Sequence, residues 1–364
     1  MNTQIQFYIQ NNINAVAYGP QLEKHWRQRS NLMQSHLGIP LALLKSASVL
    51  EFGPCGGENA LFLAINGAKI TLVEPNTAMH GLITKLFEGT DLHGLYSETV
   101  ESFQTKEKFD IVIAEGFLLA LADRKAALKK IFSYSRGLSI ITYSCMYRNF
   151  FEGLKRYIFS RCYKVKKGDT LDVYSEKLLV AARLFKNDFL TLGSARTFES
   201  WALDILMNPA GTSSILDDFE DLYQYILDLD LEVIGCSPNW DTRNKHSWYK
   251  NVSERSILDE WRANLSFIIT GKKDVELSTQ DIKNIAVIIP LLFDYSCVAD
   301  DMIPVKITQL AESLGPYFDE IKELLVVAAG NDIELIINTY TSSVNCRNWG
   351  MPHHYLALAK KNSI

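Results

Sequence analysis

From residue 48 to residue 144 the chain alternates short apolar runs with amphipathic ones. SVLEF (48–52), KITLVE (69–74), GLYSETV (94–100), FDIVIAEG (109–116) and GLSIITYS (137–144) are bounded by polar or glycine-containing stretches and predict strands. Between them, GENALFLAING (57–67), NTAMHGLITKLFEG (76–89) and ADRKAALKKIFSYS (122–135) place apolar residues at helical spacing. This rhythm implies parallel βαβ units with right-handed crossovers, and so an open α/β sheet with helices on both faces.

Outside that block the pattern changes. Residues 20–44 read as helix, a cap over residues 1–47 ahead of the sheet. From 145 to 230 the stretches SEKLLVAARLFKNDF, FESWALDILMN and ILDDFEDLYQYILDLD are long and amphipathic, which predicts a helical insertion. LEVIGCSP (231–238) and NLSFIITGKK (264–273) predict two edge strands paired as an antiparallel ribbon. GKKDVELSTQ (271–280) marks a boundary, so 48–271 is expected as the main domain and 272–364 as a mainly helical segment, with NWGMPHHYLALAKK as a terminal strand. The helices of that segment either close the core or form the surface of a homodimer.

Composition narrows the class. The chain has 364 residues, 47% hydrophobic and 22% charged, which suits a globular enzyme with a full core. The net charge of -5 argues against a nucleic-acid partner. Six scattered cysteines without a CxxC pair predict reduced thiols and no metal site. The polar N-terminus has no signal-peptide pattern, and the longest apolar run, IAVIIPLLF, is too short to span a bilayer. A cytoplasmic protein without a membrane span is expected.

The candidate chemistry lies in EFGPCGGE, residues 51–58. A glycine corner between a strand and a helix lets a ligand touch the main chain. The spacing is not the GxGxxG of a dinucleotide site, and acids at Glu51 and Glu58 would repel a pyrophosphate. Glu74, closing the second strand, can accept both hydroxyls of a ribose diol. Two acids fencing a corner that lacks a phosphate signature describe a cationic nucleoside, S-adenosylmethionine.

The stretch resembles motif I of the class I S-adenosylmethionine-dependent methyltransferases, E/D-x-G-x-G-x-G, and more closely a branch reading VLEFGPGxGxNAL. HWRQRSNLMQSHLGIPL, SWALDILMNPAG and SPNWDTRNKHSWYKN are also similar to that branch. The resemblance spans roughly residues 15–271. It implies a Rossmann-like, doubly wound, mostly parallel seven-stranded sheet. Cys55 departs from the pattern, because it stands where the family has its central glycine; if the position needs a positive φ, Cys55 is strained there.

The resemblance further implies that Glu51, Gly53, Cys55 and Gly57 surround the methionine end of the cofactor. Glu74 would hold the ribose, Pro75 and Asn76 would lie beside the adenine, and Thr99 and Val100 would flank it. Glu115 and Gly116 would stand between cofactor and acceptor. His25, in the N-terminal cap, and His246, in the loop NWDTRNKHSWYKN, are candidates to meet the acceptor with Glu115, since a hydroxyl acceptor generally needs a base. Arg27 and Arg29 could meet the carboxylate of the cofactor or an acidic acceptor, or lie on a solvated helix face. Trp201, at helical spacing with Leu203, Ile205 and Leu206, is expected in the core. The expected reaction is O- or N-methylation of a small polar or sugar-containing acceptor by in-line displacement. A non-catalytic cofactor-binding partner subunit and an NAD-dependent oxidoreductase are the competing readings.

Overall fold

The computed structural model describes residues 19–118, 121–143, 145–163, 171–208, 211–213, 216, 219–241, 256–295, 302–330, 332–351 and 354–361. Among them seven strands form one sheet in the order β3-β2-β1-β4-β5-β7-β6. They are β1 (Ser48–Phe52), β2 (Lys69–Val73), β3 (Leu92–Tyr96), β4 (Phe109–Ala114), β5 (Ser135–Tyr143), β6 (Leu231–Ser237) and β7 (His354–Lys360). The first five are parallel, whereas β7 runs antiparallel between β5 and β6. The doubly wound, mostly parallel seven-stranded sheet is therefore present.

Strands β1 and β4 are almost wholly buried, as continuous apolar runs covered on both faces should be. One face carries α1 (Leu22–Asn31), its π-helical continuation Leu32–His36, α2 (Glu58–Ile65) and α3 (His80–Leu86). The other carries α4 (Arg124–Tyr134), whose first turn is capped by Asp123 accepting from Ala126 N at 2.8 Å. The order reverses between β1 and β4, so their carboxyl ends open a crevice at the place where open α/β sheets bind ligands.

One sequence expectation fails. The apolar pattern of residues 264–273 predicts a partner strand for β6, but Leu265–Thr270 is a short helix, and β7 takes the place beside β6. A six-residue apolar run buried on several sides has no periodicity that separates strand from helix. The ribbon at the sheet edge is antiparallel as expected, with the chain's last described strand as its second member.

The helical stretches after β5 divide. In chain order, those of six residues or more are α5 (Phe150–Cys162), α6 (Leu171–Thr191), α7 (Phe219–Asp228), α8 (Ile257–Ala263), α9 (Leu265–Thr270), α10 (Thr279–Tyr295), α11 (Met302–Glu312), α12 (Asp319–Ala329) and α13 (Ile333–Ser342). Helices α7, α8 and α9 bury apolar side chains against the sheet. Helices α5 and α6, from before β6, share a second core with α10–α13, from after it. Trp201 lies in that second core against Phe185, Phe189 and Trp349.

Polar staples join the two parts of this helical body. Arg161 on α5 donates to Ala328 O, Ala329 O and Gly330 O at 2.5, 3.1 and 2.7 Å, satisfying the open carbonyls at the end of α12. Asp188 on α6 accepts from Tyr340 Oη at 2.8 Å and from Arg347 Nε at 2.6 Å. Among the described residues no helix is long and apolar enough to cross a membrane.

Candidate cofactor site

Beyond β1 the chain turns through Gly53, Cys55 and Gly57, all at positive φ (+66, +53 and +87°). The turn delivers Gly57 as the left-handed residue that opens α2. A Cβ on Gly53 would stand 2.9 Å from Cδ1 of Phe117, so the ring lies directly on the glycine. Cys55 does occupy the left-handed region that the pattern fills with glycine, and carries its strain.

Glu74 anchors this turn. Its Oε2 accepts from Cys55 N at 2.9 Å and its Oε1 from Asn76 N at 2.7 Å, while its carbonyl meets His80 Nε2 at 2.8 Å. Burial raises the Glu74 carboxyl above its ordinary value, and the Asn76 and Cys55 amides oppose that shift. A carboxylate has about four lone-pair sites, so each oxygen of Glu74 can accept one more hydrogen bond. Asn76 is buried and accepts from Ala78 N at 3.2 Å, and Pro75 between them is half-buried.

Glu51, at 1% exposure, stands under the corner. Its Oε2 is buried without a hydrogen-bond partner. Burial pushes its carboxyl up to about 8, with the Glu115 charge adding to the rise and Arg29 opposing it. A buried acid with an orphaned oxygen is costly unless something pairs with it.

The N-terminal cap closes the crevice. Arg29 on α1, 2% exposed, forms a two-pronged ion pair with Glu115, Nη2 to Oε1 at 2.7 Å and Nη1 to Oε2 at 2.9 Å. Burial pulls the guanidinium down, but the Glu115 charge and hydrogen bonds outweigh it and leave Arg29 above its ordinary value. Asn59 Nδ2 donates to Glu115 Oε2 at 3.1 Å, and Asn59 Oδ1 meets His25 Nε2 at 2.6 Å. Burial lowers His25 to about 4, so it is neutral at pH 7. Trp26 Nε1 adds a bond to Glu58 O at 3.3 Å, and Gln28 Nε2 reaches Gly193 O at the far end of α6 at 2.9 Å.

The structure thus brings Glu51, Gly53, Cys55, Gly57, Glu74, Pro75 and Asn76 to one corner, with Glu115 linked to it through Arg29 and Asn59. Gly116, at φ +80°, has open space beside it. Thr99 caps an exposed turn with Ser102, and Val100 is buried under it in the core with Phe52 and Phe103. His246 lies outside the described residues. Asn59 is the member of this group that sequence reasoning did not single out, although the branch pattern VLEFGPGxGxNAL carries an asparagine at that place. Phe117 was missed likewise, because only the tertiary fold sets it on Gly53.

The methyltransferase-domain family matches residues 24–202, just under half of the chain, and marks that part as a methyltransferase domain. The match is to a methyltransferase domain and not to the NAD-dependent oxidoreductase alternative. No curated protein matches the sequence. Among solved structures, the chain is similar to magnesium protoporphyrin IX methyltransferase of Synechocystis PCC 6803 crystallised with bound SAM. The identity is 16% and the TM-score 0.29, over 33% of this chain and 59% of that one. The N-methyltransferase NodS of Bradyrhizobium japonicum WM9 is 16% identical with a TM-score of 0.29, over 35% of this chain and 64% of that one. TehB of Haemophilus influenzae is 17% identical with a TM-score of 0.26, over 28% and 38%. The chain spans less than two thirds of the length of each.

Proposed function

We propose that this protein binds S-adenosylmethionine at the Glu51–Glu74 corner and transfers its methyl group to a hydroxyl or amine of a small polar acceptor, sugar-containing acceptors among them. The observation that carries this reading is Glu51 Oε2, buried and without a partner at the base of the crevice. An ammonium or sulfonium beside it supplies the charge the site lacks, and a phosphate would worsen it. The residues fit the cofactor in three further respects. Glu74 keeps lone pairs for a diol, the half-buried turn at Gly53 brings no side chain of its own, and the acids exclude a pyrophosphate.

The cofactor brings an activated methyl group and its leaving group. The chain's own residues bind, orient and exclude water. Glu51 receives positive charge and gives up the proton that burial holds on it below about pH 8. Arg29, neutralising Glu115, removes a second negative charge from the crevice and ties the cap helix across its mouth. His25 fixes Asn59, which in turn holds Glu115. In this reading Glu115 and His25 position the cap, while His246 remains a candidate to touch the acceptor. Methyl transfer needs alignment above all, which a closed cap supplies.

Calorimetric titration of the full chain with S-adenosylmethionine and S-adenosylhomocysteine tests the reading. Saturable binding is expected, weakened about tenfold or more in Glu51→Gln, on the scale of one charge-assisted hydrogen bond. No binding of either compound, or equal binding by Glu51→Gln, would overturn it. The strained Cys55 favours a second reading, a cofactor-binding subunit without catalysis. Binding without methyl release on any acceptor, restored by Cys55→Gly, would support that alternative.

A further inference from the structure

The turn after β4 sets an aromatic ring on the glycine corner. Gly116 N donates to Thr142 Oγ1 at 2.6 Å, and Leu118 is buried in the same core as Phe52. Phe117 lies between these two anchored residues and packs against that core. A Cβ on Gly53 would stand 2.9 Å from its Cδ1 and 3.5 Å from its Cγ and Cε1, so one side of the ring meets the main chain of the corner. The residue is only half-buried, which leaves ring surface open. A ligand that touches the main chain of Gly53 therefore touches Phe117 as well.

Two groups of different chemistry thus serve one corner. Two residues before Gly53, Glu51 holds its buried Oε2 without a partner. An oxygen of that kind accepts from an N–H. The ring of Phe117 carries a negative π-face, which attracts a cation without any hydrogen bond and does so best when the cation is withdrawn from water. S-adenosylmethionine brings two cations. Its ammonium has N–H groups to give. Its sulfonium has none; the positive sulfur is wrapped in three carbons, much as a quaternary nitrogen is wrapped in four, and aromatic faces recognise ions of that type. Glu115, two residues before Phe117, is already matched by both prongs of Arg29.

We propose that Phe117 is a specificity-determining residue, whose ring holds the sulfonium of S-adenosylmethionine while Glu51 holds the ammonium. On transfer, the acceptor's lone pair forms the new bond to the methyl carbon and the C–S pair returns to sulfur. The acceptor releases its proton to water, and the sulfur becomes neutral. The attraction to the ring is then lost while the one to Glu51 persists, so the ring favours the charged cofactor over its spent form. The inference rests on the methyltransferase reading for the identity of the ligand.

Calorimetric titration of the full chain with S-adenosylmethionine and with S-adenosylhomocysteine, wild type against Phe117→Leu, tests it through the ratio of the two affinities. Leucine keeps an apolar side chain and removes the π-face. Affinity for S-adenosylmethionine should fall about threefold to thirtyfold, while affinity for S-adenosylhomocysteine stays within about twofold, which also shows that the variant is folded. Phenylalanines bearing one, two and three ring fluorines, placed at position 117, keep the shape and weaken the face. They should lower the first affinity stepwise and leave the second, and they serve where Phe117→Leu does not fold. The inference falls if both affinities drop together, because the ring then only fills space or meets the ammonium that the two compounds share. It falls if both rise, because the ring then merely plugs the corner, and it falls if neither changes. An unchanged ratio with both compounds bound sinks this inference alone. No binding of either compound by the wild type sinks the methyltransferase reading, and this inference with it.

Discussion

In the helical body, Lys155 is buried with its Nζ donating to Asn348 O and lying 4.2 Å above the Trp349 ring. Beside it Arg156 donates to Ile205 O and, at 2.7 Å, to Asn208 O. Asp188 is held by Tyr340 and Arg347. At the carboxyl edge of the sheet, by contrast, Glu51 keeps a buried oxygen without a partner, and a single guanidinium, Arg29, faces both Glu51 and Glu115. Both regions bury charge. In the helical body each of those groups ends a helix or ties one segment to another. At the sheet edge the balance is short by one positive group. Satisfied charges hold a fold together, while a charge left open in an otherwise well-packed wall marks where a ligand completes it.

The largest expected effect tests that imbalance. Arg29→Met leaves two carboxyls buried without their cation and should destabilise by about 3–5 kcal/mol, read as a fall in the unfolding midpoint. Replacing Glu115 by Met as well should restore most of the loss. Lys155→Met in the helical body removes a buried cation but strands only one carbonyl, so it should be near neutral at pH 7. Equal losses in Arg29→Met and Lys155→Met would erase the distinction between the two regions.

The two regions should also answer pH in opposite directions. Glu51 is raised to about 8 from 4.5 by burial, then by Glu115. Between those values the folded chain holds a proton that the unfolded chain has released, so stability falls as pH rises from 4.5 to about 8. Lys155 is lowered to about 7 from 10.5 by burial, against the pull of Asp188. There the unfolded chain holds the extra proton, so stability rises as pH climbs from about 7 to 10.5. Each slope is at most about 1.4 kcal/mol per pH unit. Urea unfolding across this range should lose the first slope in Glu51→Gln and the second in Lys155→Met. A cationic ligand favours ionised Glu51, so its affinity should rise with pH up to about 8, with protons released on binding; calorimetry in buffers of different ionisation heat measures that release.

The smallest effect concerns Cys55. Glycine at this left-handed position should relieve about 1 kcal/mol of strain. Cys55→Gly should therefore raise the unfolding midpoint by a few degrees and tighten cofactor binding. A drop in either would mean that the thiol contributes a contact worth more than the strain.

Much of the sheet was legible along the chain. The strands from 48 to 143 are short, apolar and separated by helices with clear periodicity, so local pattern and global fold agree there. Leu265–Thr270 was not legible, because a six-residue apolar run buried on several sides fits helix and strand alike. The corner was legible from Glu51, Gly53, Gly57 and Glu74, whose types follow from backbone angles and charge close in sequence. Asn59, Phe117 and Arg29 in their roles were not, since each acts across 56 to 86 residues of chain or by lying on a glycine it does not neighbour.

The sequence by itself determined the alternation of strand and helix, the glycine turn and the acids that bound it, because these depend on contacts and angles local to a few residues. Only the tertiary structure decided that helices from both sides of β6 share one core, that β7 fills the place beside β6, and that Arg29 neutralises Glu115 while leaving Glu51 open. Those outcomes depend on which distant surfaces exclude water together and on where burial leaves a charge without a partner, and neither is written in the order of residues along the chain.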